Sequence, residues 1–249
     1  MTAAGFYVYC VADGPTGPTI GRKGLQGKEV MQVSHRDVRL LWSEMDAKPA
    51  FAEGDVLAHE AVVELAWAHS AVLPMRFGTV FPAREALPEI LARLYPRFRV
   101  SLDRLAGKVE VGVKVLWEAE AIKEELRALR PGTERCSENL NGGSPAKSYL
   151  WRRFQEHLLE RGLKEKAADV AGEVNTSLQP WASEAEVKVL RTENLLMSAA
   201  YLVRRDRLEG FRTQLGRVKE AQPRLKFLFS GPWPPYSFVG IEEPRGEEP

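Results

Sequence analysis

KVEVGVKV, Lys108 to Val115, places a valine at every second position. Val109, Val111, Val113 and Val115 fall on one side of an extended chain, and Lys108, Glu110, Gly112 and Lys114 on the other. Side chains alternate across a strand with period 2, so the stretch predicts a half-buried strand with one face on a core. Helical spacing follows from about Glu118 to Leu129 and again, over a longer run, from about Lys147 to Trp181. AEVKVLRT and NLLMSAAYLVRR then read as two strands with almost nothing between them. DRLEGFRTQLGRVKEA aligns Leu208, Phe211, Leu215 and Val218 on one helical face, and RLKFLFS closes as a last strand. A strand, a long helical region, two strands, a helix and a strand make a ferredoxin-like unit, with helices on one face of an antiparallel sheet.

The long helix carries Trp151, Phe154 and Leu158 on one stripe, which resumes after a phase shift at Leu163, Ala167, Val170, Val174 and Trp181. Spacings of three and four residues make a seam for helix packing. That seam either docks within its own chain or pairs with a second copy, so self-association stays open.

Upstream, helix and strand signals alternate. GFYVYCVA reads as a first strand, and Glu29 to His35 with Asp37 to Glu44 as two more that pair. Gly54 to Ala71 reads as an amphipathic helix, with Asp55 near its N-terminus where a carboxylate suits the helix dipole. Ala83 to Leu105 reads as a helix interrupted near Pro96. Two segments read as flexible connections: the Gly/Pro-dense Ala12 to Glu29 and the polar Arg130 to Ser148. The expected fold class is therefore α+β in two domains. An N-terminal α/β-mixed domain covers residues 1–106, and a ferredoxin-like antiparallel sheet with long helices covers 107–241. An acidic tail, 242–249, follows.

VLPMRFGTVF, Val72 to Phe81, reads as a further strand, yet it holds Pro74 and Arg76. Proline is tolerated at an edge strand or at a strand's first residue, so the stretch belongs at a sheet border. Alternation sets Leu73, Met75 and Phe77 on one face and turns Arg76 outward. The expectation for Arg76 is a charge-assisted bridge between the two domains.

Bulk composition excludes some functions. The 249 residues carry 35 basic and 34 acidic side chains, a formal charge of +1. Before Lys108 there are 12 of each, which leaves 23 basic and 22 acidic after it. Neither part is an electrostatic footprint for nucleic acid or anionic lipid. Cys10 and Cys136 stand far apart and outside any CxxC pair, as in a reduced cytosolic protein. No charged, apolar-cored leader opens the chain, and no run approaches the roughly 20 apolar residues of a membrane span. The expectation is a cytoplasmic protein with no membrane partner.

The motif search is barren. Gly27-Lys28 precedes Glu29 where a phosphate loop needs Ser or Thr, and GxGxxG does not occur. His59-Glu60 lies on a helix, but Val63 stands where a zinc-binding HExxH needs its second histidine. His35, His69 and His157 belong to no recognisable nucleophile motif, and GxSxG is absent. FYVYCV has the ring content of an RNA-binding strand, without the companion Lys/Arg-Gly-Phe/Tyr motif. Catalytic, cofactor-binding and metal residues are each expected to be none. GPWPPYSF is different in kind: three prolines stiffen it, and Trp233, Tyr236 and Phe238 either cap the sheet end or anchor a protein partner.

Taken in order, FYVYCV, VLPMRFGTVF, GKVEVGVKV, SYLWRR, AAYLV and SGPWPPYSFV resemble the GvpF/GvpL family of gas vesicle proteins. The resemblance runs over most of the chain, and several blocks in one order are more specific than any one motif. It implies an accessory or minor structural protein that binds the small hydrophobic shell protein GvpA and supports gas vesicle assembly. It further implies contact with other gas vesicle accessory proteins, no enzymatic activity, no cofactor and residence at the gas vesicle. The alternative is a ferredoxin-like nucleic-acid or small-ligand binding module.

Overall fold

The computed structural model describes residues 4–19, 21–46, 50–128, 145–189, 192 and 194–240, with the backbone alone for 4 and 145–148. Cys136, most of the expected insertion and the acidic tail lie outside the described residues. By contacts the chain divides into two compact units. One takes in residues up to Glu110 and the segment from Gly231 on; the other is Val111–Ser230.

The first unit holds β1 (Ala4–Asp13), β2 (Met31–His35), β3 (Val38–Asp46), α1 (Glu53–Trp67), β4 (Val72–Pro74), β5 (Val80–Phe81) and α2 (Ala86–Leu105). Its sheet runs β2-β3-β1-β4, with β5 also paired to β1. β1 is antiparallel to β3, β4 and β5. Every residue from Phe6 to Ala12 is buried, so both faces of β1 are covered. A register shift between Val8 and Cys10 breaks the alternation. Tyr7 and Tyr9 share one cluster with Cys10 and Ala12, and Val62, Val63 and Ala66 of α1 cover it.

VLPMRFGTVF departs from the single strand expected. Val72–Pro74 pairs with β1 at Cys10 to Ala12, and Val80–Phe81 pairs with it at Phe6 and Tyr7. Between them the chain turns out: Thr79 N donates to Arg76 O at 3.2 Å, and Gly78 takes φ +90°, which favours glycine. Pro74 is the last residue of β4 at the sheet border, where its missing N–H leaves no gap in the ladder.

Two more expectations change. α2 runs unbroken through Pro96, because Leu87, Leu91, Phe98, Leu102 and Leu105 form one buried stripe and that packing outweighs the lost backbone bond. The Gly/Pro loop is not a loose connection. Leu25 and Val30 enter the core cluster, Lys23 bridges Glu29, and Leu25 N donates to the Tyr9 hydroxyl at 3.0 Å.

Arg39 holds the far end of the sheet. Its guanidinium, 1% exposed, donates to the carbonyls of Asp13 and Gly14 and to Ser70 Oγ. Nearby, Arg99 on α2 pairs with Asp13, Asp37 and Asp103, and the Tyr95 hydroxyl donates to Asp37 at 2.7 Å.

The second sheet runs β7 (Glu184–Val189), β8 (Leu195–Arg204), β6 (Lys108–Leu116), β9 (Lys226–Trp233). Numbered within the unit this is 2-3-1-4, the ferredoxin-like order expected. Val109, Val111, Val113 and Val115 are all buried. α3 (Ala119–Ala128) packs on α4 (Pro145–Leu178), and α4 and α5 (Leu208–Ala221) pack on the sheet. Leu163, Ala167, Ala171, Val174 and Leu178 are buried along α4, while Phe154 lies 51% exposed off that seam. The sequence places Phe154 on the buried stripe; the helix phase that buries Leu163 and Ala167 turns it away. β9 also extends through Pro232 to Trp233, beyond the stop expected at the prolines.

The segment after Ser230 is grouped with 107–241 by sequence, but its contacts lie with the first unit. Ser237 explains why: its N–H and hydroxyl both donate to the Glu110 carboxylate at 2.7 Å.

Replacing Arg39 with methionine removes the guanidinium donor from the part-buried carbonyls of Asp13 and Gly14. Arg39→Met is expected to lower the unfolding free energy by about 2–4 kcal/mol, read from urea denaturation midpoints at constant m-value.

Candidate functional site

The first unit contains a cleft of about 580 Å³ between α1, the turn that splits the edge strand, and the segment after β9. Val56, Pro74, Met75, Phe77, Tyr236 and Val239 give it apolar walls, and His59, Glu60, Arg76 and Thr79 are its polar members. A smaller hollow adjoins it, where Glu64, Glu110, Trp233 and Pro234 meet Glu60 and Tyr236.

Each wall has a local cause. Asp55 accepts from Ala52 N at 2.8 Å and so fixes the first turn of α1, one turn before His59. The turn at Arg76–Thr79 is held by two bonds to backbone, Thr79 N and Thr79 Oγ1 both donating to Arg76 O. Met75 N donates to Tyr9 O at 2.9 Å and Val8 N to Thr79 O at 3.0 Å, which tie both ends of the turn to β1. Pro235 and the Glu110–Ser237 bonds hold Tyr236 in place.

His59 sits at the floor, 2% exposed, among aromatic rings. It stacks on Tyr9 at 5.7 Å and meets Tyr7 and Phe77 edge-on, with Tyr236 tilted 6.4 Å away. Tyr7 Oη lies 2.7 Å from His59 Nδ1 and 3.3 Å from Gly78 N. Gly78 N–H can only donate, so the tyrosine accepts from it; with Nδ1 unprotonated the phenol also places its own proton, which satisfies both groups. The imidazole proton is then on Nε2. Nε2 is buried and makes no hydrogen bond within ordinary limits. The Met75 backbone lies near enough to favour the charged ring slightly, but burial dominates and pushes the His59 pKa down to about 4.

Tyr7 and Tyr9 are pushed up by the same burial, so neither ionises in ordinary conditions. The Tyr9 hydroxyl accepts from Leu25 N and bonds Ser43 Oγ, which donates to Glu29 O. The first strand's rings are thus spent inside the core, and no stacking platform for bases exists on β1.

Arg76 is exposed because it stands on the turn between the two short strands, not through strand alternation, and its carbonyl accepts from Thr79. Of the three rings in GPWPPYSF, Phe238 is buried, while Trp233 and Tyr236 stay 44% and 37% exposed. The segment therefore caps and presents at once. His35 and His69 stand apart from the cleft, His35 against Tyr95 and His69 bonded to Leu65 O. Sequence reasoning singles out His59 only as half of a failed zinc motif; its burial beside Tyr7 leaves no local trace.

Chemically the cleft offers apolar contact, with the neutral His59 closed off beneath its surface. Its lining hydroxyls are Thr79, which donates to backbone, and Tyr236, whose ionisation burial and then Glu60 oppose. Among the described residues, the hydroxyl bonded to His59 is that of Tyr7, a neutral phenol. The Cys10 thiol is fully buried and pushed up to about 12, hence inert. Among the described residues no cluster of three or more His, Cys, Asp or Glu could hold a metal ion, and no helix is long and apolar enough to cross a membrane.

Residues 5–240 match the family model for gas vesicle synthesis protein GvpL/GvpF. The chain belongs to the GvpL/GvpF family. A gas vesicle protein F from Streptomyces sp. is 30% identical over 185 residues, covering 74% of this chain and 77% of its own. Gas vesicle protein F2 of Halobacterium salinarum is 24% identical over 246 residues, 97% of this chain and 94% of its own. The crystal structure of gas vesicle protein GvpF from Anabaena sp. superposes with a TM-score of 0.82 at 24% identity, covering 96% of this chain and all of that one. That likeness shows that the α+β fold is the GvpF fold.

His59 makes stability pH-dependent. Its pKa is about 4 when folded and about 6.5 when unfolded, so between those values the unfolded chain binds the extra proton. Stability is present above about pH 6.5 and is lost as pH falls towards 4, by at most about 1.4 kcal/mol per pH unit from this group. Urea unfolding between pH 7 and 5 should show that slope in the natural chain, and His59→Gln should flatten it.

Proposed function

We propose that this GvpL/GvpF-family protein is a gas vesicle accessory protein that binds the hydrophobic shell protein GvpA and supports vesicle assembly, without covalent chemistry. It acts in the cytoplasm and at the gas vesicle, alongside other gas vesicle accessory proteins.

The observation that carries the reading is the exposed apolar ground around the cleft. Leu57 is 67% exposed beside Val56 on α1, and Phe51, Trp233 and Tyr236 are also exposed. Phe51 rests on Phe77 at 4.8 Å, which makes the patch continuous with the cleft wall. Large rings with little rotamer freedom are what contact surfaces are built from, and exposed apolar area of this kind gains by covering itself. Burying these side chains on another polypeptide needs no cofactor and no charge surplus, in keeping with a net charge of +1.

Truncating two such rings removes contact area at the surface, where both are more than a third exposed. The double variant Trp233→Ser, Tyr236→Ser is expected to capture purified shell protein at least about tenfold more weakly, with a melting temperature within about 2 °C of the natural chain. Unchanged capture, together with intact vesicles under phase contrast in a gene-deletion strain, would overturn the reading.

A further inference from the structure

We infer that the N-terminal half of α4 is a self-association surface, on which the same stretch of a second copy of this chain packs antiparallel across Leu150, Trp151 and Phe154. The inference is independent of the shell-binding reading and lies in the other unit of the chain.

The first support is a helix that outruns its sheet. α4 has 34 residues, a length of about 51 Å at the helical rise. Leu163, Ala167, Ala171, Val174 and Leu178 are buried along it. One, two and three turns before Leu163, the same side of the helix carries Glu160, Glu156 and Arg152, all exposed. The sheet therefore gives no cover to the first half of α4, and α3 flanks it with Leu126 against Gly162. Yet Leu150 is 66% and Phe154 51% exposed, with the half-buried Trp151 ring 5.8 Å from that of Phe154. An apolar stripe on so lightly supported a helix gains by being covered. The stretch 129–144, which joins α3 to α4, brings two leucines and a cysteine among polar, glycine and proline residues, little apolar area for that purpose.

The second support is that the stripe complements itself. Leu150, Phe154, His157 and Arg161 recur at steps of four, three and four, the spacing of a coiled-coil seam. Trp151 and Leu158 flank the seam on one side, Arg153 and Glu160 on the other, each pair seven residues apart. Two such helices set antiparallel about a two-fold axis beside Gln155 place Phe154 of each copy against His157 of the other. Leu150 then covers the aliphatic stem of Arg161, whose guanidinium is drawn off the seam by Glu165 at 2.9 Å. On the flanks Trp151 meets Leu158 and Arg153 meets Glu160, and symmetry makes each contact twice. A parallel pair would face Arg161 with Arg161 and bring Glu160 beside Glu165. The charges thus select the antiparallel sense.

Sedimentation equilibrium of the full chain from about 5 to 500 μM should show a monomer–dimer equilibrium, because an interface this short buries less than a standard one. Phe154→Glu, at an exposed position, should leave the chain monomeric over that range with unchanged far-ultraviolet circular dichroism. Arg153→Glu and Glu160→Arg should each weaken the dimer about fivefold or more, since each breaks two ion pairs and makes two like-charge contacts. Combining the two should restore the natural affinity, an outcome that residues seven apart on one helix cannot produce within a single copy. A natural chain that stays monomeric, or a dimer that survives Phe154→Glu, overturns the inference. Loss of shell-protein capture in Phe154→Glu, with the natural chain monomeric, gives the face to that partner and equally overturns it. A dimer that Phe154→Glu abolishes but the double exchange does not recover overturns the antiparallel pairing.

Discussion

The Tyr7 hydroxyl is the joint on which the first unit turns. It sits on the central strand, accepts from Gly78 on the edge-strand turn and donates to His59 on α1, so one oxygen ties three elements separated by 52 and 71 positions in sequence. A buried phenol must find partners, and here the partners define a recess. Because burial favours the neutral forms of both tyrosine and histidine, the joint is uncharged and stays so near neutral pH.

That joint explains why the edge strand is broken. A continuous strand from Val72 to Phe81 would cover the ground where His59 lies. Pro74 ends the ladder, Gly78 permits the turn, and the register shift in β1 between Val8 and Cys10 falls opposite the break. The gap so produced is the cleft, and the segment after β9 returns to flank it with Tyr236. Features that look like defects in an apolar strand are therefore what open the surface.

The same economy separates binding from catalysis. Polar groups near the cleft are either consumed by backbone, as Thr79 is, or held in a neutral form, as His59 and Tyr236 are. What remains is shape and apolar area. On the proposed reading, that is enough to hold an apolar partner.

Sequence alone determines the order of elements, because helix and strand periods are written by near neighbours: KVEVGVKV is a strand, and α4 shows its seam over most of its length. It also gives the ferredoxin-like unit and the border position of Pro74. Tertiary structure decides what near neighbours cannot encode. Pro96 stays helical because a buried stripe spans it, Leu25 and Val30 pin a Gly/Pro loop that reads as loose, and Phe154 leaves its stripe when the packed half of α4 sets the phase. His59 becomes a candidate only when folding brings Tyr7, Gly78 and Tyr236 around it. A site built from long-range contacts has no period, and so no signature in the chain.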